Sequence, residues 1–187
     1  MYVASDLKKG LKLEIDGEPY LITDFDFSKP GKGQAIYRVR MKNMLTGFSM
    51  DKSYRSNDKF KPADVISTKM EYLYFDGHNY CFMNPSTFEN HLADEAVIGA
   101  NKGYLLENTE VDVVFYGERI IDVSLPPFVE LQIVKSDPGV RGDTATNVTK
   151  PATLETGIEV QVPLFIESGE YIKVDTRTGQ YVERVKR

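Results

Sequence analysis

Apolar and polar residues alternate along most of this chain, and turn residues interrupt the alternation at short intervals. Leu11, Leu13 and Ile15 alternate with Lys12 and Glu14, and Asp16-Gly17 separates them from Tyr20-Leu21-Ile22. Period 2 on both sides of an Asp-Gly pair predicts a β-hairpin. Further along, Ala35, Tyr37, Val39 and Met41 share one face, while Ile36, Arg38, Arg40 and Lys42 share the other. That is a strand with a buried face and a mostly basic face. Thr46-Gly47 then turns the chain towards Phe48-Ser49-Met50. Short strands joined by polar turns predict a small barrel.

The pattern breaks at Lys61-Pro62-Ala63-Asp64 and restarts with Ile66, Thr68, Met70, Tyr72 and Tyr74. Asp76-Gly77 makes a second hairpin turn before Tyr80 and Phe82. Ser86-Thr87-Phe88-Glu89 fits a capping box and predicts a short helix through about Ala96. Val111, Val113 and Phe115 lead through Tyr116-Gly117-Glu118 to Ile120, Ile121 and Val123, a third hairpin. Pro126-Pro127 is the second break. A strand from Phe128 to Val134 is followed by a long polar loop, Lys135 to Pro151. Loops of that length in a compact domain are usually functional or disordered. Strands resume at Ile158 to Val162, Leu164 to Ile166 and Ile172 to Val174, and Asp175 to Gly179 turns the chain into Tyr181-Val182. The expectation is an all-β chain of three small domains, 1–64, 65–127 and 128–187.

The 187 residues suffice for a sizeable buried core. A single cysteine, Cys81, excludes an internal disulfide framework, and its place between Tyr80 and Phe82 predicts burial. No apolar run reaches the ~18 residues that span a bilayer. The N-terminus lacks the basic-then-apolar pattern of a signal peptide, so a cytoplasmic protein without membrane contact is expected. The net charge of −5 is unevenly spread. Residues 1–64 hold 12 basic and 9 acidic side chains, residues 65–127 hold 3 and 10, and residues 128–187 hold 8 and 9. Within 28–62 the balance is 9 to 2. An acidic chain thus carries one concentrated basic region, the footprint of a local polyanion contact. The middle segment is acidic, so Tyr72, Tyr74, Tyr80 and Phe82 are read as core.

That basic region holds Lys29-Pro30-Gly31-Lys32-Gly33-Gln34-Ala35. Pro30 pre-sets a turn, and Gly31 and Gly33 remove bulk and permit positive φ on either side of Lys32. A surface turn and a narrow tip presenting one modifiable amine both fit this heptapeptide. Catalysis is the weaker class. His78 and His91 have no Cys or carboxylate partner at metal-ligand spacing, and no Ser/His/Asp set or phosphate-binding glycine motif is present. Lys32 as a nucleophile would need desolvation, which a glycine-flanked tip does not supply. No cofactor or metal is expected. Binding fits better: small barrels are common nucleic-acid platforms, and Arg38, Arg40 and Lys42 suit phosphate contact.

Several separated motifs, in order, resemble bacterial elongation factor P along essentially the whole chain. They are Gly10-Leu11-Lys12, Asp16-Gly17-Glu18-Pro19-Tyr20, Pro30-Gly31-Lys32-Gly33-Gln34-Ala35 and Leu45-Thr46-Gly47. Lys150 to Gly157 and Val160-Gln161-Val162-Pro163 are similar to the family's C-terminal signature. Gly142-Asp143-Thr144 and Asp175 to Tyr181 are also family-like. The family is related to the hypusine-bearing factor of eukaryotes and archaea. The resemblance implies an SH3-like (KOW) barrel followed by two OB-folds, in an L that imitates tRNA in outline. It implies a monomer that binds ribosomal RNA and peptidyl-site tRNA between the peptidyl and exit sites and relieves stalling at consecutive prolines. It implies that Lys32, flanked by Pro30, Gly31 and Gly33, is lengthened by a modifying enzyme. Gly142, Asp143, Thr144 and Tyr181 are similar to RNA-facing positions of the family, and Arg184 is a further candidate phosphate contact. The competing readings are a general OB-fold RNA-binding protein and an elongation factor P-like paralogue, whose common form lacks this lysine motif.

Overall fold

The computed structural model describes residues 1–139 and 148–187. It is almost entirely β-sheet. Six strands occupy the first third: β1 Tyr2–Val3, β2 Lys12–Ile15, β3 Glu18–Ser28, β4 Ile36–Asn43, β5 Ser49–Arg55 and β6 Lys59–Pro62. They form one antiparallel sheet in the order β1-β6-β2-β3-β4-β5. The turn between β2 and β3 is Asp16-Gly17, with φ of 52° and 80°. Both central residues are left-handed, which matches the twist of the flanking strands. The inward face of this sheet buries Leu13, Ile22, Val39, Met41 and Phe60, and Ala4 and Leu7 join them from a 3-10 turn. The alternation of apolar and charged residues along β4 becomes this inside and outside, with Val39, Met41 and Asn43 buried and Arg38, Arg40 and Lys42 exposed.

The next strands are β7 Ile66–Phe75, β8 Asn79–Met83, β9 Asn90–Asp94, β10 Glu110–Tyr116 and β11 Arg119–Ser124, in the sheet order β11-β10-β7-β8-β9. The hairpin turns at Asp76-Gly77 and Tyr116-Gly117 fall where the sequence puts them. Tyr72, Tyr80, Cys81 and Phe82 are buried. Tyr74 is not, at 52% exposure. The helix expected from Ser86 does not form. The Asn84 side-chain oxygen accepts from the backbone N–H of Ser86 (2.9 Å) and of Thr87 (3.3 Å), and Phe88 is left-handed at φ 61°. This asparagine turn competes with helix initiation and closes the β8–β9 hairpin instead. His91 therefore lies on strand β9. The helical turns come later, as α1 Glu95–Ile98 and a 3-10 segment Gly99–Tyr104.

The last sheet has β12 Phe128–Ser136, β13 Thr149–Leu154, β14 Glu159–Pro163, β15 Tyr171–Asp175 and β16 Gln180–Val185, in the order β14-β13-β12-β15-β16. Its core holds Leu131, Ile133, Ala152, Leu154, Val160, Val162, Ile166, Ile172 and Val174. Strand β13 begins inside the stretch expected as loop. Leu164 to Ile166, expected as a strand, is a turn in which the Ile166 N–H donates to the Pro163 carbonyl at 3.1 Å. That turn drops Ile166 into the core and leaves Phe165 exposed. By packing, the chain divides into two compact units, residues 1–67 with 114–122 and residues 68–113 with 123–187. Among the described residues no helix is long and apolar enough to cross a membrane.

Candidate functional site

Strands β3 and β4 pair antiparallel up to Ser28 opposite Ile36, so residues 29–35 form the loop that joins them. Lys32 is exposed near the middle of that loop and, among the described residues, makes no ion pair. The two glycines beside it differ. Gly31 has an ordinary φ, and a β-carbon there would meet open space. Gly33 has φ +147°, and a β-carbon would sit 3.5 Å from the Pro30 ring. Of the two flanking glycines, Gly33 alone uses the left-handed half of the backbone map. Gly33→Val should therefore distort the loop, and Gly31→Ala should leave it nearly unchanged. Amide chemical shifts of residues 29–35 test this, and equal perturbation by the two substitutions would contradict it.

An aromatic row supports the loop. Phe27 stands opposite Tyr37 on the neighbouring strand, and Tyr37 stands opposite Tyr54. The Phe27 and Tyr37 ring centroids are 5.0 Å apart and tilted by 52°, and Tyr54 meets Phe60 edge-on at 4.7 Å. Phe25, Tyr37 and Tyr54 pack on the core, whereas Phe27, nearest the loop, is 49% exposed.

The outward face of the same strands carries Arg38, Arg40 and Lys42, as the alternation predicts, but it is not uniformly basic. Register places Asp26 beside Arg38, and it places Arg40 between Asp24 and Asp51. The Arg40 Nε donates to Asp51 Oδ1 at 2.8 Å and its Nη2 donates to Oδ2 at 3.2 Å. This two-point hydrogen bond, with the attraction between the charges, raises the Arg40 pKa. The same bond lowers the Asp51 carboxyl below the usual carboxylate range. Both groups are exposed, so the pair contributes little to stability. Asp24 and Asp26 were invisible to a charge count over 28–62 because they precede the loop in sequence. The signal that reveals them is the run Asp24-Phe25-Asp26-Phe27, a period-2 strand with an acidic outer face.

In the last sheet, Tyr181 is half-buried and packs against the core, and this burial pushes its phenol pKa up. Arg184 donates to Glu170 at 3.2 Å and lies over the Phe165 ring at 5.6 Å. Gly142, Asp143 and Thr144 lie outside the described residues. Among the described residues no three His, Cys, Asp or Glu side chains converge to hold a metal ion.

Residues 3–60 match the family model of the elongation factor P KOW-like domain. Residues 65–123 match the elongation factor P OB domain, and residues 129–184 match its C-terminal domain. The chain is 55% identical over 187 residues to elongation factor P of Desulfosudis oleivorans, covering all of both chains. It is 52% identical over 186 residues to elongation factor P 2 of Geobacter sulfurreducens, again covering all of both. The solved structure described as eukaryotic translation initiation factor 5A from Methanococcus jannaschii shares the fold. Its TM-score is 0.51 at 23% identity, over 67% of this chain and 90% of that one.

Proposed function

From the premise that this chain belongs to the elongation factor P family, and is therefore a translation factor with the ribosome as partner rather than an enzyme, we propose how it acts. It binds between the peptidyl and exit sites and accelerates peptide bond formation at consecutive prolines. Proline's ring fixes φ and makes its amine a poorly oriented nucleophile. A factor that holds the peptidyl-tRNA end in a productive pose restores the orientation that the reaction lacks. The factor itself makes and breaks no bond.

The observation that carries this reading is the exposed Lys32 amine, presented by a loop whose backbone takes positive φ at Gly33. A cytoplasmic enzyme extends that amine, and the factor works as a monomer with three modules, 1–64, 65–127 and 128–187. Intact mass of protein purified from its own cells tests the extension. Added mass confined to the Lys32 peptide is expected, and an unmodified Lys32 beside a modified residue elsewhere would refute it. In the last module Gly142, Asp143, Thr144, Tyr181 and Arg184 face RNA. The ring of Tyr181 serves mainly to anchor its strand, since it packs on the core.

Phosphate contact by Arg38, Arg40 and Lys42 is tested by salt dependence. Each lost phosphate contact flattens the slope of log affinity against log salt by about 0.7 to 0.9. Arg38→Ala and Lys42→Ala should each show this. Arg40→Ala should show less, because Asp51 already neutralises the guanidinium. Three equal changes, or none, in ribosome binding would contradict the assignment.

A further inference from the structure

Phe27 is an aromatic residue on the core face, yet it lies past the end of the core and keeps half its surface exposed. Around it is an open hollow lined by Phe27, Tyr37, Lys29, Gln34, Ser56 and Asn57 among others. No lining residue is acidic. The hollow over Arg38 and Arg40 is different, with Asp24, Asp26 and Asp51 in its wall.

We propose that Phe27 and its hollow are a binding subsite for one unpaired nucleotide of an RNA strand. The ring offers a stacking face of the kind that single-stranded nucleic acid uses, with Tyr37 fixing its tilt from behind. The amide of Gln34 or Asn57 and the Ser56 hydroxyl supply donors and acceptors for the edge of a base. Lys29 at the rim meets the phosphate, and no carboxylate opposes it. A base inside a duplex cannot reach the ring, because both its faces are already stacked. The site therefore selects strand ends and loops. This rests on the reading above that this end of the first module faces RNA, but it adds a stacking residue to the amine tip.

The chain has no tryptophan, so Phe27→Trp installs a single indole at the site. The probe is a three-nucleotide single-stranded RNA. The controls are a long RNA duplex, in which terminal base pairs are few, and inorganic polyphosphate of matched charge. Quenching by the single strand is expected, at least tenfold weaker response to the duplex, and none to polyphosphate. In the unsubstituted protein, the ring protons of Phe27 should shift on addition of the same RNA, which keeps the test valid if the indole disturbs folding. Phe27→Leu keeps apolar bulk without a stacking face and should bind the RNA about tenfold more weakly, with Phe27→Tyr restoring it. Equal responses to polyphosphate and RNA, or full binding by Phe27→Leu, would overturn the proposal. No ribosome is present in these measurements. A failure here leaves the proline reading standing, and a failure of the proline assay leaves this subsite standing.

Discussion

Lys32→Ala is expected to abolish stimulation of peptide bond formation on proline codons while the fold and most ribosome binding survive. An exposed loop residue without an ion pair carries little packing, so stability should change by no more than about 0.5 kcal/mol. Binding should persist because the proposed contacts of Arg38, Lys42 and the last module are separate from the loop. The rate on a proline template should fall at least tenfold, equivalent to about 1.4 kcal/mol of barrier. Lys32→Arg keeps the charge but should fail equally, because a guanidinium is not the amine that a modifying enzyme extends. Full activity in Lys32→Arg would mean that charge alone suffices and would remove the need for modification.

Gly103→Val is expected to destabilise the larger compact unit strongly. A β-carbon at Gly103 would overlap Ile158 Cγ2, well inside van der Waals contact. The Gly103 carbonyl also accepts from the Thr156 hydroxyl, so the 3-10 segment cannot simply back away. Tyr104 and Leu106, just beyond, pack on the core of the last sheet. Overpacking of this kind costs about 1–3 kcal/mol or more. Ile158→Ala removes the obstructing methyl, so the double variant should recover part of the loss. Denaturant unfolding of the two single variants and the double variant measures the coupling. Strictly additive losses would show that the clash is relieved elsewhere.

The sequence disclosed most of the strands and their pairing, because Asp16-Gly17, Asp76-Gly77 and Tyr116-Gly117 each sit between runs of period 2. Its errors have local causes. Ser86 has the spacing of a helix cap, but the Asn84 side chain accepts from the Ser86 and Thr87 N–H groups and the Phe88 N–H donates to the Asn84 carbonyl, which closes a turn instead. The first residues of β13 fall in the expected loop because the strand's inward positions are Lys150, Ala152 and Leu154, so apolar alternation is hidden by a small residue and a buried lysine. The Lys150 ammonium reaches the Asp137 carbonyl at 2.6 Å, which makes that burial tolerable. At the candidate site, the exposed cations on β4 were legible from period 2, whereas the heptapeptide around Lys32 fits a plain surface turn equally well and only the family resemblance singles that lysine out. The aspartates beside those cations were not legible, since strand pairing, not sequence distance, decides which charges are neighbours. Nor does sequence separate Gly31 from Gly33, which differ only in the backbone path that the loop takes.

The most direct test of the central claim is the single-turnover rate of tripeptide formation on ribosomes programmed with consecutive proline codons. It is measured with and without the native factor, alongside a template free of proline. The account predicts clear acceleration on proline, little on the control, and loss of the difference in Lys32→Ala. Equal rates with and without the factor on the proline template, or undiminished stimulation by Lys32→Ala, would contradict it.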